Sequence, residues 1–182
     1  MRTYKVEGIV LKRRNLGEAD RILTILSKEL GKITVKAPGV RRISSRRSSH
    51  VELLNLSQFT LYSGSKTFLP IVTEAQTFED FSSIKSDLRK IGLALYICEL
   101  INGLCADNQE NRGVFIHLKA VLLELSKTSD TQSLIRKFEK NLLAELGFWS
   151  EVKLLEAQDS QAVMERLLER KLKTLRIMPV FV

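Results

Sequence analysis

The residues whose types and spacing could do chemistry are concentrated in one stretch, KITVKAPGVRRISSRRSSH, residues 32–50. Arg41 and Arg42 form one pair, Arg46 and Arg47 a second, and from Lys32 to Arg47 there are six Lys/Arg and no Asp or Glu. A guanidinium is a planar fork that can donate two hydrogen bonds to one anion, so this composition suits phosphate oxygens. The interleaved serines add small hydroxyl donors. A solvated basic loop without a ligand would have the same composition, so charge alone assigns no partner.

Further cations stand close by in sequence. Lys12, Arg13 and Arg14 end a first β-like segment, Arg21 opens a second, and Lys36 lies in the segment that leads into the loop. If these segments form a barrel, Lys12, Arg13, Arg14, Arg21 and Lys36 would line a groove together with Arg41, Arg42, Arg46 and Arg47. The formal net charge is +8. Residues 1–80 carry 14 Lys/Arg against 8 Asp/Glu, and the remaining residues 15 against 13, so the excess is N-terminal. That distribution fits an electrostatic footprint for nucleic acid. Anionic membrane is less well matched, because the basic part lacks an amphipathic helix. Tyr4, Phe59, Tyr62 and Phe68 could stack on bases, but small barrels need aromatic filling, and the expectation for each is the core. Contact with the phosphate backbone, with little sequence preference, is therefore expected.

No arrangement for catalysis is visible. His50 and His117 have no nucleophile–base motif around them. Glu18 and Asp20, with Glu7 and Glu29, could in principle hold Mg²⁺, but pairing with Lys12, Arg13, Arg14 and Arg21 is the expectation. There is no Walker loop and no zinc ribbon, and Cys98 and Cys105 read as small core residues. No run of 18 apolar residues exists, and the N-terminal segment reads as a strand rather than a leader, so a cytoplasmic protein is expected.

The elements that must position these groups follow from periodicity. Thr3–Arg14, with a bend or bulge at Gly8, Arg21–Ser27, Lys32–Ala37, Val51–Tyr62 and Thr67–Ala75 read as five strands. Five strands of this size suggest an OB-fold barrel, with the basic loop as its third-to-fourth connection. Near Phe78 the period changes. Helices are expected over 83–105, capped by Asp80, Ser82 or Ser83, over 112–127, over 132–146 with Gly147 as C-terminal cap, and over 160–175. The apolar tail MPVFV is expected to pack down. The predicted class is α+β, with an N-terminal five-stranded OB-fold nucleic-acid-binding domain (1–77) and an all-helical C-terminal domain (78–182).

Several ordered segments bear a family likeness. EGIVLKRRNLGEADRILTILSKELGKITVKAPGVRR (7–42) resembles the N-terminal signature of the bacterial recombination mediator RecO, with Glu18, Asp20, Arg21, Gly31, Gly39 and Arg41 at the matching positions. ALYICELINGL (94–104), IRKFEKNLLAELGF (135–148) and ERKLKTLRIM (169–178) are similar to its central and C-terminal helices. There are departures. Pro38 replaces the usual Lys before Gly39, a lost charge for which Arg42, Arg46 and Arg47 could compensate, and Ser27 and Thr174 are mild swaps for Thr and Ser. Many relatives carry a Cys-rich zinc module between Gly147 and the last helix, whereas residues 148–182 here contain no cysteine, so no zinc and no other cofactor is expected. The resemblance implies a non-catalytic DNA-repair protein, cytoplasmic and nucleoid-associated. It would bind single- and double-stranded DNA, anneal strands, and engage single-stranded-DNA-binding protein and RecR so that RecA loads. A pocket for the tail of the single-strand-binding protein would sit in the helical domain. An OB-fold RNA binder, or an adaptor whose basic loop is merely solvated, are the alternatives.

Overall fold

A computed structural model of the 182-residue chain describes residues 2–65, 68–150, 152–153 and 159–174. It is α+β. Five strands come first, β1 (Arg2–Leu16), β2 (Asp20–Ser27), β3 (Gly31–Ala37), β4 (Leu56–Ser63) and β5 (Ile71–Glu79). Helices follow, among them α1 (Ser82–Lys85), α2 (Leu88–Leu104), α3 (Arg112–Leu125), α4 (Thr131–Glu145) and α5 (Ser160–Leu168). No helix among the described residues is long and apolar enough to cross a membrane.

The strands close into a barrel in the order β1-β2-β3-β5-β4. β1 is long enough to serve two neighbours. Its first half pairs with β4 and its second half with β2, and Gly8 and Ile9 are paired on both sides. A side chain at Gly8 would meet Ile25 Cγ2 at 2.4 Å, so glycine permits the close approach of β1 and β2 there. The bulge itself comes later, between Val10 and Lys12. Alternation points Val6, Val10, Leu23, Ile25, Ile33, Val35, Phe59, Leu61 and Val72 into one buried cluster. Each such side chain contributes about 1.5–3 kcal/mol on leaving water. The β2–β3 turn is closed by buried Ser27, whose hydroxyl accepts from the amides of Glu29 (3.2 Å) and Leu30 (3.1 Å).

Two strand boundaries differ from the sequence expectation. Val51 belongs to a short 3₁₀ turn, Ser48–Val51, and β4 begins only at Leu56. Val51 and Leu54 are apolar because they are buried, not because they are extended, and Leu54 has φ 67°. β5 runs from Ile71 to Glu79, after Pro70.

Cα proximity divides the chain into two compact units, Met1–Asp80 with Asp107–Phe115, and Phe81–Ala106 with Ile116–Val182. Residues 107–115 thus return to the barrel. Asn108 N donates to Lys32 O at 2.7 Å, and Lys32 Nζ lies 3.1 Å from Asp107. Gly31, at φ +67°, has no room for a Cβ against Gln109 O.

In the second unit the helix expected over 83–105 is broken in two. Asp87 caps α2 by accepting from the amides of Arg89 (2.9 Å) and Lys90 (3.1 Å), displacing the cap from the residues expected to hold it. Gly147, φ +83°, follows α4 as expected. Cys98 and Cys105 are buried thiols, and burial pushes the Cys98 thiol up to about 12. α2 and α5 approach closely at Gly103, where a Cβ would lie 2.2 Å from Leu168. Buried Glu139 of α4 accepts from Tyr96 of α2 and Ser160 of α5, tying three helices together. Burial raises its carboxyl above the usual range.

The last helix ends at Leu168, with Glu169 in the left-handed region, rather than continuing to 175. The chain then turns, and the amides of Lys173 (3.0 Å) and Thr174 (2.9 Å) and the Thr174 hydroxyl (2.7 Å) all donate to Glu99, which also pairs with Arg170. The tail 178–182 and most of 148–158 fall outside the described residues. Burial opposes the Glu99 charge, but these four donor groups prevail and hold its carboxyl at about 2. A depressed carboxyl stabilises the fold above its unfolded pKa and stops doing so as pH falls through the folded value. We therefore expect Glu99→Gln to lose about 1–2 kcal/mol at pH 7, discounted for solvent screening, in urea unfolding. The gap from wild type should shrink as pH falls from about 5 towards 2.

Candidate nucleic-acid interface

Three connections meet at one end of the barrel. The basic loop leaves β3 at Ala37, and the chain from β4 re-enters beside it, since Lys36 N donates to Pro70 O at 2.8 Å and Lys36 pairs in parallel with Ile71. The β1–β2 turn joins them through Arg41, whose amide donates to Ala19 O (2.9 Å) and whose guanidinium donates to Gly17 O (2.8 Å).

The loop is anchored from behind. Asp20 accepts the Gly39 amide at 2.9 Å and pairs with Lys36 Nζ at 2.9 Å. The Lys36 ammonium first, then the Gly39 amide, hold the Asp20 carboxyl below its ordinary range. Gly39, at φ +68°, takes a conformation that costs L side chains energy, and the chain reverses there. Arg47 donates to Pro38 O (2.8 Å) and to Val72 O, which fastens both ends of the loop to β5. Beyond it, His50 Nδ1 accepts the Thr77 amide at 3.3 Å, so a neutral ring carries its proton on Nε2. Ser57 donates to His50 O at 3.0 Å and Asn55 to Ser49 O at 2.8 Å.

The nine cations expected at the site thus divide into two sets. Arg13 and Arg21 share the carboxylate of Glu52, with Arg21 at 2.7 Å. Arg21 Nε is buried with no hydrogen-bond partner among the described residues. Lys36 is spent on Asp20, and Arg41 and Arg47 on backbone carbonyls. Lys12, Arg14, Arg42 and Arg46 are exposed and make no side-chain hydrogen bond or ion pair among the described residues. Alternation along β1 puts Lys12 and Arg14 on one face and Arg13 on the other.

Sequence reasoning missed Glu52 as the partner of Arg13 and Arg21. Of the acids it assigned to them, Glu7 pairs with Lys28 (3.7 Å), Glu29 accepts the Glu7 amide (3.2 Å) and Asp20 pairs with Lys36. Of the aromatics, Phe59 is fully buried and Tyr4 packs against the core, its ring under Arg2 at 5.5 Å. Phe68, expected in the core, is fully exposed. His117 is half-buried beside Glu145 at 3.7 Å, at a groove of about 230 Å³ between α3 and α4 that Leu134 and Phe138 also line. Among the described residues no group of three or more His, Cys, Asp or Glu could hold a metal ion. The donor set of a zinc module is likewise missing from residues 148–182.

Comparison with known proteins agrees with this architecture. A family model described as "Recombination protein O N terminal" matches residues 1–81, and one described as "Recombination protein O C terminal" matches residues 85–152. The chain is 35% identical over 147 residues to a protein named DNA repair protein RecO from Roseiflexus sp. (strain RS-1), covering 81% of this chain and 51% of that one. To the protein of the same name from Pelotomaculum thermopropionicum it is 36% identical over 148 residues, covering 81% and 57%. To that from Desulforudis audaxviator it is 36% identical over 153 residues, covering 84% and 60%. The chain therefore spans only about half to three fifths of the length of these relatives.

The two sets of arginines should respond differently to truncation. Arg47→Ala removes charge-assisted hydrogen bonds to two carbonyls and should cost about 1–3 kcal/mol, with faster amide exchange across 39–50. Arg46→Ala should stay within about 0.5 kcal/mol of wild type. Chemical denaturation of the two variants side by side checks both.

Proposed function

We propose that this chain, which belongs to the recombination protein O family, is a non-catalytic DNA-binding recombination mediator in DNA repair. It binds single- and double-stranded DNA through the barrel, residues 1–77, and brings complementary strands together. With RecR it helps load RecA on strands coated by single-stranded-DNA-binding protein. The strands are held by their phosphates, contacted by Arg42 and Arg46 and, along β1, by Lys12 and Arg14. Arg13, Arg21, Lys36, Arg41 and Arg47 add positive potential and hold the surface in shape. The partner roles rest on kinship alone, and only a pocket for the tail of the single-stranded-DNA-binding protein is expected in the helical residues, 78–182.

The observation that carries the DNA reading is the pair of exposed guanidinium groups, Arg42 and Arg46, which make no hydrogen bond or ion pair among the described residues, on a loop fixed at its root by Asp20 and Arg47. Free charge that is held in place gains Coulombic attraction to a polyanion without first breaking a pair of its own. A loop with that layout reads phosphates and few base edges, which suits a protein acting on any sequence.

The test is binding of a labelled single strand of about 16 nucleotides across a salt series. Each phosphate contact contributes about −0.7 to the slope of log affinity against log salt for single strands. The Arg42→Ala/Arg46→Ala double variant should therefore bind more weakly, with a slope shallower by about 1.4. An unchanged slope would remove the loop from the interface.

A further inference from the structure

The end of the barrel that carries the basic loop also bears two exposed apolar side chains. Ile43 is 108% exposed and Phe68 100% exposed, the two most exposed of the large hydrophobic residues described. Ile43 sits at the loop tip directly after Arg42, with Arg46 three residues on. Phe68 lies in the β4–β5 connection, two residues before Pro70, whose carbonyl accepts from Lys36. Arg47 bridges Pro38 O and Val72 O, so the roots of the two connections are bound together. The two connections thus leave the barrel side by side, and the first of them also carries the exposed guanidinium groups of Arg42 and Arg46. Leaving such side chains in water forgoes the stabilisation of burying them, and other apolar residues of the β3–β4 connection, Val40 and Val51, are fully buried.

Building on the proposed phosphate contact, we infer that Phe68 and Ile43 meet the bases of a single strand whose phosphates lie on Arg42 and Arg46. Phe68 stacks on an unpaired base, and Ile43 packs against the face of a neighbour. The charge pattern selects this occupant. A polyanion is drawn to the arginines, and of the polyanions a single strand is the one that also offers exposed flat apolar faces. In a duplex those faces are stacked on each other and out of reach. The same end of the barrel then holds any nucleic acid by charge but discriminates in favour of unpaired strands, as a protein that brings complementary strands together requires. It does so without reading sequence, since every base has a π-face.

The experiment compares the full chain on two labelled oligonucleotides of equal length, one of thymidines and one of abasic sites, which carry the same phosphates. Wild type should bind the base-bearing strand more tightly by about 5- to 100-fold. Phe68→Ala should lose most of that preference while its affinity for the abasic strand and its salt slope stay as in wild type. Ile43→Ser should lose part of the preference, and Phe68→Trp should keep it. In a Trp149→Phe background, the indole introduced by Phe68→Trp should be quenched by the base-bearing strand only. Equal wild-type affinity for the two strands, or a Phe68→Ala variant that retains the full preference, would overturn the inference while leaving the phosphate contact standing. Loss of binding to neither strand, with loss of binding to phosphatidylglycerol vesicles in Phe68→Ala, would overturn it in favour of a lipid surface. Failure of wild type to bind either strand would remove the phosphate contact as well.

Discussion

Everything the basic loop can do depends on the carboxylate of Asp20. It accepts the Gly39 amide where the chain reverses after β3, and it neutralises Lys36 beneath the loop. A loop of arginines left to itself would spread by repulsion and lose conformational entropy on meeting a ligand. Here that ordering is already done. Asp20 sets the exit direction, Arg41 ties the loop to the β1–β2 turn, and Arg47 closes it onto β5. The depressed Asp20 carboxyl means that this anchor is charged at neutral pH and is released only when pH falls below the usual carboxylate range.

The same economy of carboxylates runs through the molecule. Glu52 gathers Arg13 and Arg21, and in the helical unit Glu99 gathers Arg170 and the start of the next helical turn. Buried Glu139 joins α2, α4 and α5 through hydroxyl groups rather than cations, and its carboxyl is raised instead of lowered. Burial dominates at Glu139, the more deeply buried of the two, whereas at Glu99 one guanidinium and three neutral donors together outweigh it.

Much of the fold could be read from the chain. Ser27 and Gly31 bracket the β2–β3 turn, Pro38-Gly39 ends β3, and Gly147 follows α4, each because a local backbone geometry demands that residue type. What periodicity could not separate was burial from extension. Val51 and Leu54 look like strand residues because they are apolar, yet they are buried from a 3₁₀ turn and a left-handed residue. The break at Asp87 was hidden because a cap and a solvent-facing acid have the same letter. At the candidate site, position along the chain located the basic surface but could not say which arginines are spent. Glu52 lies 39 residues from Arg13 and 31 from Arg21, and Val72 lies 25 from Arg47. Only folding reveals such pairings. Phe68 was misplaced for the opposite reason, since an aromatic residue in a small barrel is normally filling.

The central claim is that five of the nine cations build the surface and that Arg42 and Arg46 lead its contact with the strand. Arginine side-chain NMR reads this residue by residue. The Nε–Hε resonances of the full chain would be followed while a single-stranded oligonucleotide is added. The account predicts that Arg42 and Arg46 shift and become protected, while Arg13, Arg21 and Arg47 hold their positions. Shifts confined to Arg13, Arg21 and Arg47, with Arg42 and Arg46 unmoved, would contradict it.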